Sequence, residues 1–111
     1  MDAKAFVAQT IHDNPVVLFM KGTAQSPQCG FSSRAIQLLK SCGVTQVATV
    51  NVLEDDTLRE GIKAFSDWPT IPQLYVKGEF VGGCDIVREM YETGELTEMF
   101  QTRGVDAKPS A

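Results

Sequence analysis

The chain opens with a helical rhythm. Phe6, Val7, Thr10 and Ile11 fall on one face of a helix over 2–13, and Asn14-Pro15 stops it. The rhythm then disappears. Val16-Val17-Leu18-Phe19-Met20 is an unbroken apolar run, β-branched at its start, and reads as a buried strand. A polar loop, 21–28, follows it. From Cys29 the helical spacing returns, with Ala35, Leu38, Leu39 and Cys42 at i, i+3, i+4 and i+7 and Gly43 closing the helix.

Val47 to Val52 reads as the next strand, and Asp55 opens a helix that carries Leu58, Ile62 and Phe65 inward. Trp68-Pro69-Thr70-Ile71-Pro72 is a rigid, non-helical approach to a strand over 73–76. Lys77-Gly78 is a two-residue hairpin signal, after which Glu79-Phe80-Val81 runs back. Gly82-Gly83-Cys84-Asp85 turns into a last helical region whose Ile86, Met90, Leu96, Met99 and Phe100 pack on the sheet. Residues 104–111 carry no periodicity and read as a loose tail, leaving 1–103 as the domain.

The order α-β-α-β-α-β-β-α defines an α/β class. Strands joined by a helix run parallel with a right-handed crossover, and the closing hairpin adds antiparallel strands. The expected result is a small four-stranded mixed sheet flanked by helices.

Composition narrows the partners. At 111 residues the chain has room for one domain, and a net charge of −4 argues against nucleic acid or an anionic membrane as partner. The longest apolar run is far shorter than a membrane span or a signal-peptide core, and Asp2 and Asp13 spoil a basic leader. The cytoplasm is the expected compartment, with a mature mitochondrial or plastid form as the alternative. Three cysteines at unrelated spacings, Cys29, Cys42 and Cys84, match neither a zinc ribbon nor a secreted disulfide framework. They suit a reducing compartment with at least one thiol kept for reactivity.

That thiol is Cys29, in the stretch Gln28-Cys29-Gly30-Phe31-Ser32-Ser33. It falls in the first βα turn, where open α/β sheets gather their ligands. A helix N-terminus lowers a cysteine pKa, and Lys21 adds a second positive influence. The plainer alternative is a small apolar residue at a helix start. Ser32 occupies the place of the second cysteine in C-x-x-C, so a mixed disulfide on Cys29 has to be released by an external thiol, such as glutathione, or by Cys84. Cys42, late in its helix, reads as core.

A 2Fe–2S cluster takes four thiolates, and one chain offers a single good one. Two chains and two glutathione molecules complete the set. For glutathione, Lys21 and Arg59 are candidate partners of its carboxylates, although Arg59 equally suits a helix-surface pair with Asp55. Thr70-Ile71-Pro72 offers a backbone edge if the bond before Pro72 is cis. Gly83, Cys84 and Asp85 bring N–H groups and a carboxylate to a helix start, or Asp85 simply caps it. The residues by themselves lead to a thiol-active α/β domain.

Taken together, "KGTAQSPQCGFS" and "WPTIPQLYVKGEFVGGCDI" resemble the monothiol glutaredoxins of the CGFS type, over roughly residues 5–101. The resemblance implies a thioredoxin-like fold with a cis-proline at Pro72. It implies glutathione contacts at Lys21, Arg59, Ile71, Cys84 and Asp85 with Thr70 nearby, and Cys29 as both active thiol and protein ligand of a cluster bridging two chains. Members of the family assemble, carry and deliver such clusters to apoproteins, often beside BolA-like proteins, and are poor general disulfide reductases. One departure is Ala24, where many relatives have proline; it is expected to loosen the loop before Cys29.

The first functional reading is therefore a cluster carrier, monomeric until the cluster joins two copies. The alternative is a glutathione-dependent oxidoreductase that removes glutathione from protein mixed disulfides. Two further readings are a redox sensor pairing Cys29 with Cys84, and an adaptor with an inert thiol.

Overall fold

The apolar run at 16–20 becomes the centre of the sheet. In the computed structural model, which describes residues 2–44, 46–68 and 70–105, the order of elements is α1 (Ala3–Asp13), β1 (Val16–Met20), α2 (Gly30–Ser41), β2 (Ala48–Asn51), α3 (Asp56–Ser66), β3 (Gln73–Val76), β4 (Glu79–Gly82), α4 (Cys84–Thr93) and α5 (Glu95–Thr102). The sheet is four-stranded and ordered β2-β1-β3-β4. β1 runs parallel to β2 and antiparallel to β3, which pairs antiparallel with β4. This is the mixed sheet that the alternation of elements predicts.

Strand geometry sends successive side chains to opposite faces, so β1 supplies two cores. Val16, Leu18 and Met20 pack with Ala35, Leu38 and Leu39 of α2, Val87 of α4 and Phe100 of α5. Val17 and Phe19 face the other way, toward Val7 and Ile11 of α1, Ile62 of α3 and Tyr75. α1 lies close on α3 because Gly61 has no side chain there; a Cβ would stand 2.7 Å from that of Ala3. That contact matters for the site, since α3 carries Arg59.

Local signals account for the boundaries. Asp2 and Asp55 cap α1 and α3 by accepting from the N–H groups of Ala5 and Thr57, both at 2.8 Å. Lys77 and Gly78 both take positive φ, 51° and 85°, as the tight hairpin requires.

The structure departs from the pattern at four places. Phe6 is 42% exposed, because Val7 and Ile11, one helical turn apart, already fill the contact with the sheet. Phe65 is exposed too, tilted against Tyr75 at 6.2 Å rather than packed inward. In α4 the inward residue is Val87, 1% exposed, and not Ile86, 40% exposed. The helix begins at Cys84, so its first turn, with Ile86 in it, faces the cavity described below. The last helical region is two helices, divided at Gly94 with φ 86°. Of the tail, Gly104 and Val105 close α5: their N–H groups donate to Gln101 O at 3.2 Å and Phe100 O at 2.8 Å. Residues 106–111 lie outside the described residues.

Candidate functional site

β1 ends at Met20, and the chain returns within eight residues to start α2 with Cys29 as its N-cap. Backbone bonds close this loop. Gln28 N–H donates to Lys21 O at 2.9 Å, and Thr23 and Ser26 exchange both N–H···O bonds at 3.2 Å. Gly22 sits at φ 97°, where a Cβ would meet Gln28 N at 2.5 Å. Ala24, expected to loosen this segment, rests its methyl group against the core. The loop is thus closed by its own backbone bonds, with alanine rather than proline at position 24.

Cys29 has a pKa below that of an ordinary thiol. The backbone N–H of Ser32 aimed at the sulfur is the main cause; partial burial opposes it. Phe31 N–H, the Lys21 charge and the Ser32 hydroxyl add smaller pushes toward the thiolate. These contacts follow from position: the N-cap side chain is the one that faces the free N–H groups two and three residues on.

Ser32 itself is wholly buried, and its Oγ accepts the Lys21 backbone N–H at 3.0 Å. The residue that stands where a resolving cysteine would be therefore ties the end of β1 to α2. Nothing in the spacing of the sequence signals that bond.

Trp68, Thr70, Ile71 and Pro72 line the same cavity as Cys29, together with the start of α4. Ile71–Pro72 is a cis peptide, as the resemblance implies. The buried Gln73 supports the loop from below, donating from Nε2 to Trp68 O and Thr70 O, both at 3.2 Å. The N-cap of α4 is Gly83, so Asp85 lies in the first turn and does not cap the helix. Gly83 is buried; a Cβ there would come within 3.3 Å of Pro72 O.

All nine residues singled out in the sequence line one cavity of about 390 Å³. Lys21, Cys29 and Arg59 stand with Thr70, Ile71 and Pro72 and with Gly83, Cys84 and Asp85 around it. The surface-pair alternative for Arg59 is not realised. The Asp55 carboxylate caps Thr57, and among the described residues no carboxylate lies within ion-pair distance of Arg59.

Four further lining residues were not anticipated: Phe31, Lys63, Trp68 and Ile86. Lys63 was legible, being four residues beyond Arg59 on the same helical face. Phe31, 64% exposed, lay in plain view beside Cys29. Cys84 shares the cavity, yet its pKa is raised, first by burial and then by the neighbouring Asp85 charge. Burial also raises Cys42, whose sulfur contacts Thr97 Oγ1 at 3.6 Å in the core. Among the described residues no three His, Cys, Asp or Glu side chains converge to hold a metal ion.

The glutaredoxin family profile matches residues 16–81. A monothiol glutaredoxin-5, mitochondrial, of Lachancea kluyveri is 56% identical over 102 residues, spanning 90% of this chain and 71% of that protein. The solution structure of a monomeric truncated mutant of Trypanosoma brucei 1-C-Grx1 superposes with a TM-score of 0.87 at 39% identity, covering 96% of each chain. A buckwheat glutaredoxin–glutathione complex superposes with a TM-score of 0.80 at 26% identity, over 93% of this chain and 91% of that one. These likenesses establish the thioredoxin-like fold.

Proposed function

The chain belongs to the glutaredoxin family, as a monothiol member, and from that premise we propose that it holds glutathione against Cys29 and carries a 2Fe–2S cluster shared between two copies. The observation that supports this reading is one thiol with a lowered pKa in a cavity lined by the cations Lys21, Arg59 and Lys63 and by the carboxylate of Asp85. Glutathione has two carboxylates, one ammonium and a thiol. The three cations suit the carboxylates, Arg59 by its planar fork, and Asp85 suits the ammonium. The backbone of Ile71, beside cis Pro72, offers an edge to an extended peptide, with Thr70 and Gly83 close by. The buckwheat complex shows that a glutaredoxin relative takes glutathione.

The donor set fits the cluster as cargo. Four thiolates are needed; Cys29 from each of two chains and one glutathione thiol beside each supply them. The monomer then dimerises only when loaded. Delivery to iron–sulfur apoproteins, with or without a BolA-like partner, completes the role. The mitochondrial name of the Lachancea relative supports the organellar alternative over the cytoplasm.

The lowered Cys29 pKa also favours the oxidoreductase alternative. There the Cys29 thiolate attacks the glutathione sulfur of a protein mixed disulfide, forming a Cys29–glutathione disulfide and expelling the protein thiolate. A second glutathione thiolate then attacks that disulfide, releasing oxidised glutathione and restoring the Cys29 thiolate. Ser32 takes no part in either step.

Anaerobic reconstitution with iron, sulfide and glutathione separates the readings. The carrier reading expects a coloured dimer that needs both glutathione and Cys29, and is lost in Cys29→Ser. A colourless monomer that still removes glutathione from mixed disulfides would leave Cys29 as a nucleophile alone.

A further inference from the structure

We propose that Asn51, which lies outside the cavity at the end of β2, is the positioning residue that aims Lys21 into it. A hydrogen bond joins two elements far apart in sequence. Asn51 Oδ1 accepts Gly22 N–H at 2.9 Å and also Leu53 N–H at 3.0 Å. The second bond, two residues along its own chain, fixes the Asn51 side chain; the first uses it to hold the loop. Register brings them together, since Asn51 pairs with Met20 across the parallel strands.

The consequence falls on Lys21. Its own N–H is held by Ser32 Oγ at 3.0 Å and the next N–H by Asn51 at 2.9 Å. Two successive peptide units are thereby fixed from opposite neighbours, α2 and β2, and the direction of the Lys21 Cα–Cβ bond is set between them. Gly22 is buried, so its N–H has no ready water to replace a lost acceptor. Without that bond the 21–22 peptide keeps only the Gln28 N–H on Lys21 O at 2.9 Å, and Gly22, at φ 97°, is the residue most free to turn about it. Lys21 would then shift from the position in which it lines the cavity with Cys29 and Arg59. Asn51 touches no ligand; it acts through the loop.

The ligand part of this inference rests on the glutathione reading above. The test is an NMR titration of the apo protein with reduced glutathione, using Asn51→Leu, Asn51→Asp, Lys21→Met and Arg59→Met, singly and in pairs. Asn51→Leu is expected to weaken binding about three- to tenfold, toward the lower end of what residues coupled through one hydrogen-bond network show. Asn51→Asp, which keeps an oxygen at the same place, is expected to bind within about twofold of wild type. Adding Asn51→Leu to Lys21→Met should cost nothing further, whereas adding it to Arg59→Met should multiply the two losses. Wild-type affinity in Asn51→Leu, or equal multiplication with both cations, overturns the proposal.

Amide hydrogen exchange supplies a ligand-free arm. In Asn51→Leu, or in Asn51→Ala if the leucine variant fails to fold, Lys21 and Gly22 N–H should lose protection while Val17 to Phe19 keep theirs. Equal loss along β1 would make Asn51 a general support and overturn the proposal. Absence of glutathione binding in the wild type would remove the glutathione reading instead, leaving the exchange result to decide on Asn51.

Discussion

Cys29 and Cys84 begin as near equals. Each stands at the start of a helix, each is partly buried, and both line the same cavity. Their thiols are nonetheless pushed in opposite directions, Cys29 down and Cys84 up. A helix N-terminus is therefore not sufficient to make a thiolate. Cys29 is the N-cap, and although its sulfur closes no capping hydrogen bond, the nearby Ser32 and Phe31 N–H groups and the Lys21 charge favour its thiolate. Cys84 is one residue further in, where the side chain no longer faces those groups. Burial then dominates, and Asp85 adds a like charge, opposed by Arg88 and Arg34. One position along a helix, together with the sign of the neighbouring charge, separates a thiol pushed toward its thiolate from one pushed away from it.

The sharpest way to break this comparison is to delete each sulfur. Cys29→Ser should lower glutathione exchange on a mixed disulfide by roughly three orders of magnitude, as loss of a nucleophile does. Cys84→Ser should retain most of it. The rate of release of a fluorescent thiol from its glutathione mixed disulfide reads both. Comparable losses in the two variants would mean that Cys84 takes part in turnover, and the sensor reading with a Cys29–Cys84 disulfide would gain ground.

Next in size is the support beneath Cys29. Ser32→Ala removes the acceptor of the Lys21 N–H and the hydroxyl that helps the thiolate. Urea unfolding should show a loss of about 1–3 kcal/mol, the range for a buried polar group left unpaired. Unchanged stability would mean that Lys21 N–H finds another acceptor and that Ser32 is a bystander like Cys84.

How much of this was legible beforehand depends on the range of the signal. The elements follow from periodicity within a dozen residues, and the mixture of parallel and antiparallel strands follows from the connections between them. Cys29, Lys21 and the residues of 70–85 were found because chemistry and resemblance both marked them. The failures have a common cause. Ile86 and Val87 differ by one step of helical phase, which hydrophobicity cannot distinguish when a cavity, rather than solvent, lies on the other side. Phe6 and Phe65 are apolar yet exposed because smaller neighbours already fill the core. The bonds from Lys21 to Ser32 and from Gly22 to Asn51 span 11 and 29 residues. No local pattern reports an acceptor so far along the chain.

The smallest effect expected is also the most direct test of the electrostatic half of the comparison. Alkylation by iodoacetamide proceeds through the thiolate, so a thiol with the lower pKa reacts at the lower pH. Followed across pH by peptide mass spectrometry, Cys29 should be modified first as pH rises and Cys84 only later, because one pKa lies below the ordinary thiol value and the other above it. Asp85→Asn removes the negative charge that disfavours the Cys84 thiolate, so the Cys84 profile should move toward lower pH and the gap should narrow. It should not close, since burial, the larger cause, remains. Profiles that coincide in the unmutated protein would mean that the N-cap contacts at Cys29 do not act on its sulfur. A Cys84 profile unmoved by Asp85→Asn would leave burial and the Cys29 charge as the reasons that the second thiol is quiet.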